Sequence, residues 1–201
     1  MKTTREILLA AKAAAPALAG ASEERKNLAL SRIAERLLSE RESILRANEE
    51  DILASKDRLG PVMVDRLRLT PERIAGMAEG ILDVVRLPDP VGEVLERTER
   101  PNGMVIEKTS VPLGVIAIIF ESRPNVTSDA AVLALKSGNA VVLRGGREAF
   151  RSNAAIVRAI RLGLEDAGLP GALVGFVEDT DHASANELME AVGLAPERSP
   201  A

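Results

Sequence analysis

VPLGVIAIIFESRPNVTSDAAVLALKSGNAVVLRGGR, residues 111–147, decides the fold of this chain. It reads in order as an apolar strand over residues 113–120, a polar loop, an apolar helix over 126–137, a second strand over 140–144 and a loop with two glycines. A strand, a crossover helix and a second strand are typical of a parallel βαβ unit. In open α/β sheets, ligands bind at the carboxyl ends of the strands, and the polar groups of this stretch fall there.

The same alternation continues beyond this stretch. Ser152 predicts the N-cap of a second crossover helix, which is followed by a third strand over residues 172–177 and a third helix over 183–192. The fold class is therefore predicted to be α/β, with three βα units and a parallel sheet. The uninterrupted apolar run at 113–120 predicts a strand that is covered on both faces.

Residues 1–90 are predicted to form a helical segment. One helix face shows the i, i+3, i+4, i+7, i+8 spacing of a buried stripe: Leu30, Ile33, Ala34, Leu37 and Leu38. Ser39 and Glu42 fit a capping box for the next helix, and Thr70 before Pro71 predicts another helix start. The first helix is expected to break at Pro16.

Residues 91–111 predict a β-hairpin. Two extended pieces, 91–99 and 104–111, are joined by the turn-forming sequence Arg-Pro-Asn-Gly. The charged side chains of its first strand predict one solvated face. The hairpin fits an oligomer contact and a plain surface hairpin about equally well.

Composition narrows the function classes. The 201 residues are 46% hydrophobic and carry a net charge of −4, which argues against nucleic-acid or anionic-membrane binding. The longest apolar run, of about ten residues, is too short to span a bilayer. Without cysteine there is no thiolate nucleophile, and the lone His182, interpreted as a solvated surface residue, makes no metal site. These features predict a soluble cytoplasmic protein without a signal peptide.

The polar loop after the first strand offers a site for a developing negative charge. Asn125, at the start of the following helix, could donate its side-chain amide to an oxyanion, or equally cap the helix with its oxygen. Arg123 could bind a substrate carboxylate or phosphate, or equally pair with Glu121.

The loop after the second strand offers a site for a phosphate. Gly145 and Gly146 allow close backbone approach, and Arg144 and Arg147 carry forked donors that suit phosphate. The alternative is a plain turn. The loop is not a GxGxxG fingerprint, and no acidic residue has the spacing that would bind a ribose.

Three segments together resemble the γ-glutamyl phosphate reductase family of the aldehyde dehydrogenase superfamily. They are DRLRLTPERIAGMAEGILDVVRLPDPVGEV (65–94), RPNGMVIEKTSVPLGVIAIIFESRPNVTSDAAVLALKSGNAVVLRGGREAF (100–150) and EDTD (178–181). The motifs ESRPNVT and VVLRGG distinguish this family from ordinary aldehyde dehydrogenases. The resemblance implies an aldehyde-dehydrogenase-like Rossmann domain.

The resemblance also implies an activity and site residues. The family reduces L-glutamyl 5-phosphate to L-glutamate 5-semialdehyde with NADPH in proline biosynthesis, through a thioester on a catalytic cysteine. Asn125 resembles the asparagine that stabilises the oxyanion. Arg144 stands where the superfamily usually has a lysine at the adenosine ribose, with Gly145 and Gly146 beside it. Arg147 is a candidate for binding the additional phosphate of NADP(H).

The chain departs from this family at its end. Family members are roughly twice as long, and their catalytic cysteine lies beyond the point where this sequence stops. Residues 112–194 are therefore predicted to be a partial NADP-binding domain, 195–201 an irregular tail, and the catalytic domain absent, which a truncation or frame change near residue 194 would explain. The isolated chain is expected to be inactive.

The alternative function is a non-catalytic module that associates with itself or with a full-length reductase. Unpaired sheet edges predict self-association, which a monomer at high concentration would contradict.

Overall fold

The computed structural model describes residues 2–121 and 123–191. The helices are α1 (Thr4–Ala19), α2 (Glu23–Ser39), α3 (Arg41–Ser55), α4 (Pro61–Leu67), α5 (Pro71–Arg86), α6 (Pro124–Lys136), α7 (Phe150–Asp166) and α8 (His182–Glu190). The strands are β1 (Val94–Glu99), β2 (Val105–Thr109), β3 (Val115–Ile119), β4 (Ala140–Arg144) and β5 (Val174–Phe176). Short 3₁₀ turns precede α7 and β5, at Arg147–Ala149 and Gly171–Leu173. The predicted tail at 195–201 lies outside the described residues.

The predicted parallel sheet is confirmed, with strand order β3-β4-β5. Residues 140–143 of the central strand are all fully buried. Since successive side chains of a strand point to opposite faces, both faces of β4 are covered. The expectation that β3 is covered on both faces is wrong. Among the described strands it pairs only with β4, its side chains alternate between half-buried and exposed, and Ile119 is 44% exposed.

Several predicted helix ends differ in the structure. α1 continues through Pro16 to Ala19, because this proline lies in the last turn on the exposed face, where water can hydrate the backbone. Ser39 does not cap α3; its hydroxyl donates to the carbonyl of Arg36 at 3.1 Å, within α2. Ser152 lies inside α7 and is fully buried. Thr70 caps α5 as predicted, accepting from the backbone N–H of Arg73.

The predicted hairpin is confirmed as the antiparallel pair β1 and β2. Its turn closes with hydrogen bonds from the N–H of Arg100 to the carbonyl of Met104 and from Gly103 to Arg100, both at 2.9 Å. Nearly every residue of both strands is exposed, so the expectation of a single solvated face is wrong. Apolar side chains such as Leu95 are exposed with the charged ones, and self-association stays a prediction.

The helical segment is joined to the α/β part by α2, which packs against α5 and α7. No described helix combines the length and apolar character needed to cross a membrane. The apolar face of α2 meets the sheet helices through fully buried residues that include Leu30, Ile33 and Leu37. A shared apolar core therefore extends from the helical segment to β4 and β5.

A buried polar network fixes the position of α7 against the helical segment. Oδ2 of Asp51 on α3 accepts hydrogen bonds from the backbone N–H of Ser152 at 2.8 Å and from its hydroxyl at 2.7 Å. The carboxylate therefore caps the first turn of α7, where N–H groups lack helical partners and negative charge is favoured. Asn48 donates to the Ser152 hydroxyl at 3.0 Å and to the carbonyl of Leu67 at 2.8 Å, and accepts from the N–H of Leu69 at 2.7 Å.

Replacing Asp51 with asparagine tests whether this cap stabilises the fold. Asp51→Asn keeps the shape of the side chain but removes the charge from bonds that are fully shielded from water. We expect the free energy of unfolding to fall by about 1.5–3 kcal/mol, the usual contribution of a hydrogen bond to a charged group. Urea denaturation followed by circular dichroism measures the loss.

Asp57→Asn is the matched control, because Asp57 is exposed just beyond α3 and has no side-chain partner among the described residues. Its free energy of unfolding should stay within about 0.5 kcal/mol of the parent. Equal losses in the two variants would show that the Asp51 cap has no special role.

Candidate active site

Asn125 lies in the first turn of α6, directly after the loop that follows β3. The N-cap is Arg123, and no side chain caps this helix, so the alternative that Asn125 caps it is wrong. The Asn125 amide is half-buried and donates from Nδ2 to Oδ2 of Asp129, one turn later, at 3.2 Å. Since an amide carries two N–H bonds, one can orient the side chain while the other remains for a ligand.

Asp129 makes this orientation dependent on pH. Burial raises the pKa of the Asp129 carboxyl, and hydrogen bonds from Asn125 and Ser128 offset part of that rise. Only the ionised carboxylate accepts hydrogen bonds at both oxygens. Acidification therefore weakens the hold on Asn125 at a higher pH than it would for an ordinary aspartate.

A cleft of about 460 Å³ opens beside Asn125, between the α4–α5 junction and the start of α6. The polar residues that define this Asn125 cleft are Arg66, Arg68, Arg73, Arg123, Asn125 and Asp129, together with Asp65. Arg123 makes no ion pair with Glu121 in the described structure; only their backbones meet, N–H to carbonyl, at 3.0 Å. The pairing that the sequence left open is thus not formed, and the Arg123 side chain lines a cleft instead.

Arg144, at the carboxyl end of β4, is held by the segment after β5. Its Nε donates to the Ser184 hydroxyl at 3.1 Å, and its Nη2 donates to the carbonyls of Thr180 at 2.9 Å and Asp181 at 3.0 Å. The sequence predicts Arg144 as a cofactor residue and gives no indication of these bonds. They fix the loop after β5 against the end of β4, while Nη1 has no hydrogen bond to any residue that the structure describes.

Gly145 is required by a close contact with α7. An added Cβ at this position would lie 2.1 Å from Nδ2 of Asn153. Asn153 is fully buried, and its Oδ1 accepts a hydrogen bond from the Thr127 hydroxyl of α6 at 3.0 Å. Its Nδ2 has no hydrogen-bond partner in the described part of the chain. Asn153 therefore joins the loop after β4 to the first turns of α6, two residues from Asn125.

Arg147 lines a second cleft, of about 610 Å³, between α3 and the loop after β4. The residues that define this Arg147 cleft include Arg58, Arg147, Phe150, Arg151, Glu178 and Thr180. Arg151 is engaged with Glu50 and Asp51, and Arg58 donates to the carbonyl of Ala54. Arg147 is exposed and has no hydrogen bond or ion pair among the residues that the structure describes. Gly146 precedes it with an extended backbone, φ −66° and ψ 153°.

Several residues that organise these clefts carry no signal in the sequence. Asn153, Thr127 and Ser152 have the same local pattern as ordinary polar positions of an amphipathic helix, and Arg66 and Arg68 flank a buried leucine in a short charged stretch. Their roles arise from contacts between segments about 20–100 residues apart in sequence. Within residues 2–121 and 123–191, no group of histidine and carboxylate side chains is placed to bind a metal ion.

The model of the aldehyde dehydrogenase family matches residues 2–195, nearly the whole sequence. The chain belongs to this family. A γ-glutamyl phosphate reductase of Streptococcus suis is 50% identical over 193 residues, which are 96% of this chain and 47% of the relative. That of Carboxydothermus hydrogenoformans is 51% identical over 184 residues, 91% of this chain and 44% of the relative.

Solved structures agree with this assignment. The crystal structure of γ-glutamyl phosphate reductase from Thermotoga maritima gives a TM-score of 0.91 at 41% identity, covering 94% of this chain and 46% of its own. The Saccharomyces cerevisiae reductase gives 0.83 at 30% identity, covering 90% and 47%. The resemblance that the motifs indicated is confirmed, as is the aldehyde dehydrogenase fold. The chain spans about half the length of these aldehyde dehydrogenase relatives.

Gly145→Ala tests the packing of the loop after β4 on Asn153. The new methyl group would overlap Nδ2 of a side chain that is buried and bonded to Thr127, so it cannot move aside without breaking that bond. We expect unfolding to become easier by about 1–3 kcal/mol, as for other overpacked core positions, measured by urea denaturation.

Gly80→Ala serves as the control, since a Cβ at Gly80 in α5 would meet nothing within 4 Å. Removal of a glycine from a helix interior should stabilise the fold by about 0.5–1 kcal/mol. A Gly145 variant as stable as the parent would show that Asn153 adapts.

Proposed function

We propose that this chain supplies the oxyanion-stabilising and cofactor-binding residues of an NADPH-dependent γ-glutamyl phosphate reductase that acts in proline biosynthesis. The observation that carries the proposal is the Asn125 cleft, in which an asparagine amide oriented at a helix start lies among arginine side chains. The relatives suggest the substrate, because γ-glutamyl phosphate reductases match nearly the whole of this sequence.

Asn125 is the catalytic residue in this proposal. Attack of a nucleophile on the acyl carbon of glutamyl phosphate turns the carbonyl oxygen negative. The second N–H of the Asn125 amide donates to that oxygen, while the bond to Asp129 keeps the amide in place. The N-terminal end of α6 adds partial positive charge, so the developing oxyanion is stabilised before the phosphate leaves.

NADP(H) is the proposed cofactor, and the residues around the Arg147 cleft fit it. Arg147 is a guanidinium without a partner among the described residues, which suits a phosphate on the adenosine ribose. Gly145 and Gly146 have no side chains, so the backbone of the loop after β4 is open to the cofactor. Arg144 holds the loop after β5 and offers Nη1 to the ribose. When bound, the cofactor supplies the hydride that reduces the acyl group.

The overall reaction converts L-glutamyl 5-phosphate, NADPH and a proton to L-glutamate 5-semialdehyde, NADP⁺ and phosphate. It needs a nucleophile on the acyl carbon, and the 201 residues contain no cysteine. We therefore propose that this chain by itself does not turn over substrate.

A second candidate function is a non-catalytic module that associates with itself or with a full-length reductase. The observation that favours it is the exposure of apolar side chains on the hairpin, among them Val94, Leu95 and Ile106. Sedimentation of the chain alone, and mixed with a full-length reductase, distinguishes the two candidates. A chain that sediments as a monomer, both alone and in the mixture with the full-length enzyme, would exclude the non-catalytic module.

A chimaeric enzyme tests the role of Asn125. Residues 2–191 of this chain replace the corresponding segment of the Streptococcus suis reductase, whose remainder completes the enzyme. The chimaera should reduce NADP⁺ with glutamate 5-semialdehyde and phosphate, which NADPH absorbance reports. Asn125→Ala should lower kcat by about a hundredfold to a thousandfold, the usual effect of removing an oxyanion donor.

Asn186→Ala is the matched control, because Asn186 is exposed on α8 and has no side-chain partner in the described structure. Its kcat should equal that of the parent chimaera. Turnover by the 201-residue chain alone, or an unchanged kcat in the Asn125 variant, would refute the proposed roles.

Arg147→Gln tests the preference for NADP over NAD. Loss of a charged donor to the ribose phosphate should lower kcat/KM for NADP⁺ about tenfold or more, while kcat/KM for NAD⁺, which lacks that phosphate, stays the same. Steady-state kinetics of the chimaera with each cofactor measure both values. Equal losses with the two cofactors would assign Arg147 a structural role instead.

A further inference from the structure

The Asn125 cleft contains more positive charge than the oxyanion role of Asn125 requires. We infer that Arg66, Arg68 and Arg123 form an anion subsite that binds the charged end of the substrate beside Asn125. This inference rests on the proposed function, since it assigns the subsite to glutamyl phosphate. It extends the site to two arginines of the helical segment, which the sequence did not indicate.

The pairing of charges in the cleft leaves these three arginines available. Arg73 is fully engaged: Nη1 donates to the carbonyls of Asp65 and Arg68, both at 2.6 Å, and Nη2 donates to Oδ1 of Asp65 at 3.1 Å. The second carboxylate, Asp129, accepts from Asn125. Both carboxylates of the cleft thus have partners.

Arg66, Arg68 and Arg123 make no side-chain hydrogen bond or ion pair within residues 2–121 and 123–191, yet all of them line the same cleft. The chain as a whole has a net charge of −4. The three guanidinium groups that have no partner among the described residues therefore make this concave surface positive on a protein that is negative overall. Such a concentration of one sign in a cleft focuses the field on an incoming anion.

The backbone that carries Arg66 and Arg68 is fixed from beneath. Asn48, which is buried, binds the carbonyl of Leu67 at 2.8 Å and the N–H of Leu69 at 2.7 Å. Leu67 and Leu69 are themselves buried. Arg66 lies in the last turn of α4 and Arg68 directly follows this helix, and both are exposed while the leucines beside them are buried. The backbone at the end of α4 that carries Arg66 and Arg68 is therefore held in place by buried hydrogen bonds.

The cleft has room for a small dianion. Its volume of about 460 Å³ lies within the range of small-molecule sites. Gly76, on the α5 side, contributes no side chain, and a Cβ there would meet nothing within 4 Å. A substrate whose acyl oxygen meets Asn125 can extend its remaining charged group toward the arginines. That group is either the α-carboxylate or the phosphate, and both suit the forked guanidinium donors.

A titration of the intact 201-residue chain tests the subsite without requiring turnover. Arginine is labelled with ¹⁵N, and the Nε–H signals are followed while inorganic phosphate, or glutarate as the carboxylate probe, is added at constant ionic strength maintained with sodium chloride. Signals of Arg66, Arg68 and Arg123, assigned by their loss in single glutamine variants, should shift with saturation. The signal of Arg46, exposed on α3 outside the cleft, should not.

Kinetics of the chimaera supply a second, independent measurement. Arg66→Gln, Arg68→Gln and Arg123→Gln should each raise KM for the anionic substrate by about tenfold, since each removes one charge-assisted contact, with a smaller change in kcat and none in KM for NADP⁺. Arg46→Gln should leave every constant unchanged. In the titration, saturation by phosphate indicates that the arginines bind the phosphate end of the substrate, and saturation by glutarate indicates that they bind the carboxylate end. Saturation by both probes indicates that they can bind either end.

The outcomes separate this inference from the proposed function. An inactive chimaera with selective anion shifts at the three arginines would refute the reductase role and still support an anion subsite. An active chimaera whose KM values are unchanged by the three variants would overturn the subsite and leave the reductase role standing. Equal shifts of all exposed arginines in the titration would also overturn it.

Discussion

The buried carboxylate of Asp51 at the N-terminus of α7 is the contact on which the rest of this structure depends. It joins a helix of the N-terminal segment to the crossover helix between β4 and β5 across about 100 residues of sequence. Because the carboxylate is shielded from water, its bonds hold only in one relative placement of the two helices. That placement positions both clefts.

Two adjacent residues of α7, Ser152 and Asn153, connect this contact to the two sides of the candidate site. Ser152 is hydrogen-bonded to Asn48, which in turn binds the backbone at the end of α4, where Arg66 and Arg68 lie. Asn153 accepts a hydrogen bond from Thr127 near the start of α6, the helix that carries Asn125. Asn125, the proposed oxyanion donor, and the arginines thus come from segments far apart in sequence but are fixed against one helix. Catalytic groups need such a rigid frame, because small displacements cost much of their effect.

The two clefts differ in what surrounds their arginines, and this difference separates their proposed roles. In the Asn125 cleft three guanidinium groups have no partner among the residues that the structure describes, and they lie beside an amide donor, which suits a reacting substrate that carries negative charge. In the Arg147 cleft, Arg151 and Arg58 already have partners, and among its arginines only Arg147 has none within the described part of the chain, which suits a single phosphate of a cofactor. Arg144, which the sequence predicts at the cofactor, also holds the loop after β5.

The sequence by itself determined the order of strands and helices, the parallel sheet, the hairpin and the family, because apolar periodicity, turn residues and motifs such as ESRPNVT are local signals. It also predicted site roles for Asn125 and Arg147 by residue type and position after a strand. Only the tertiary structure decided that Ser152 is a buried partner of Asp51 and not a cap, that Gly145 is required by Asn153, and that Arg66 and Arg68 meet Arg123 at one cleft. These facts depend on contacts between distant segments, which no local pattern encodes.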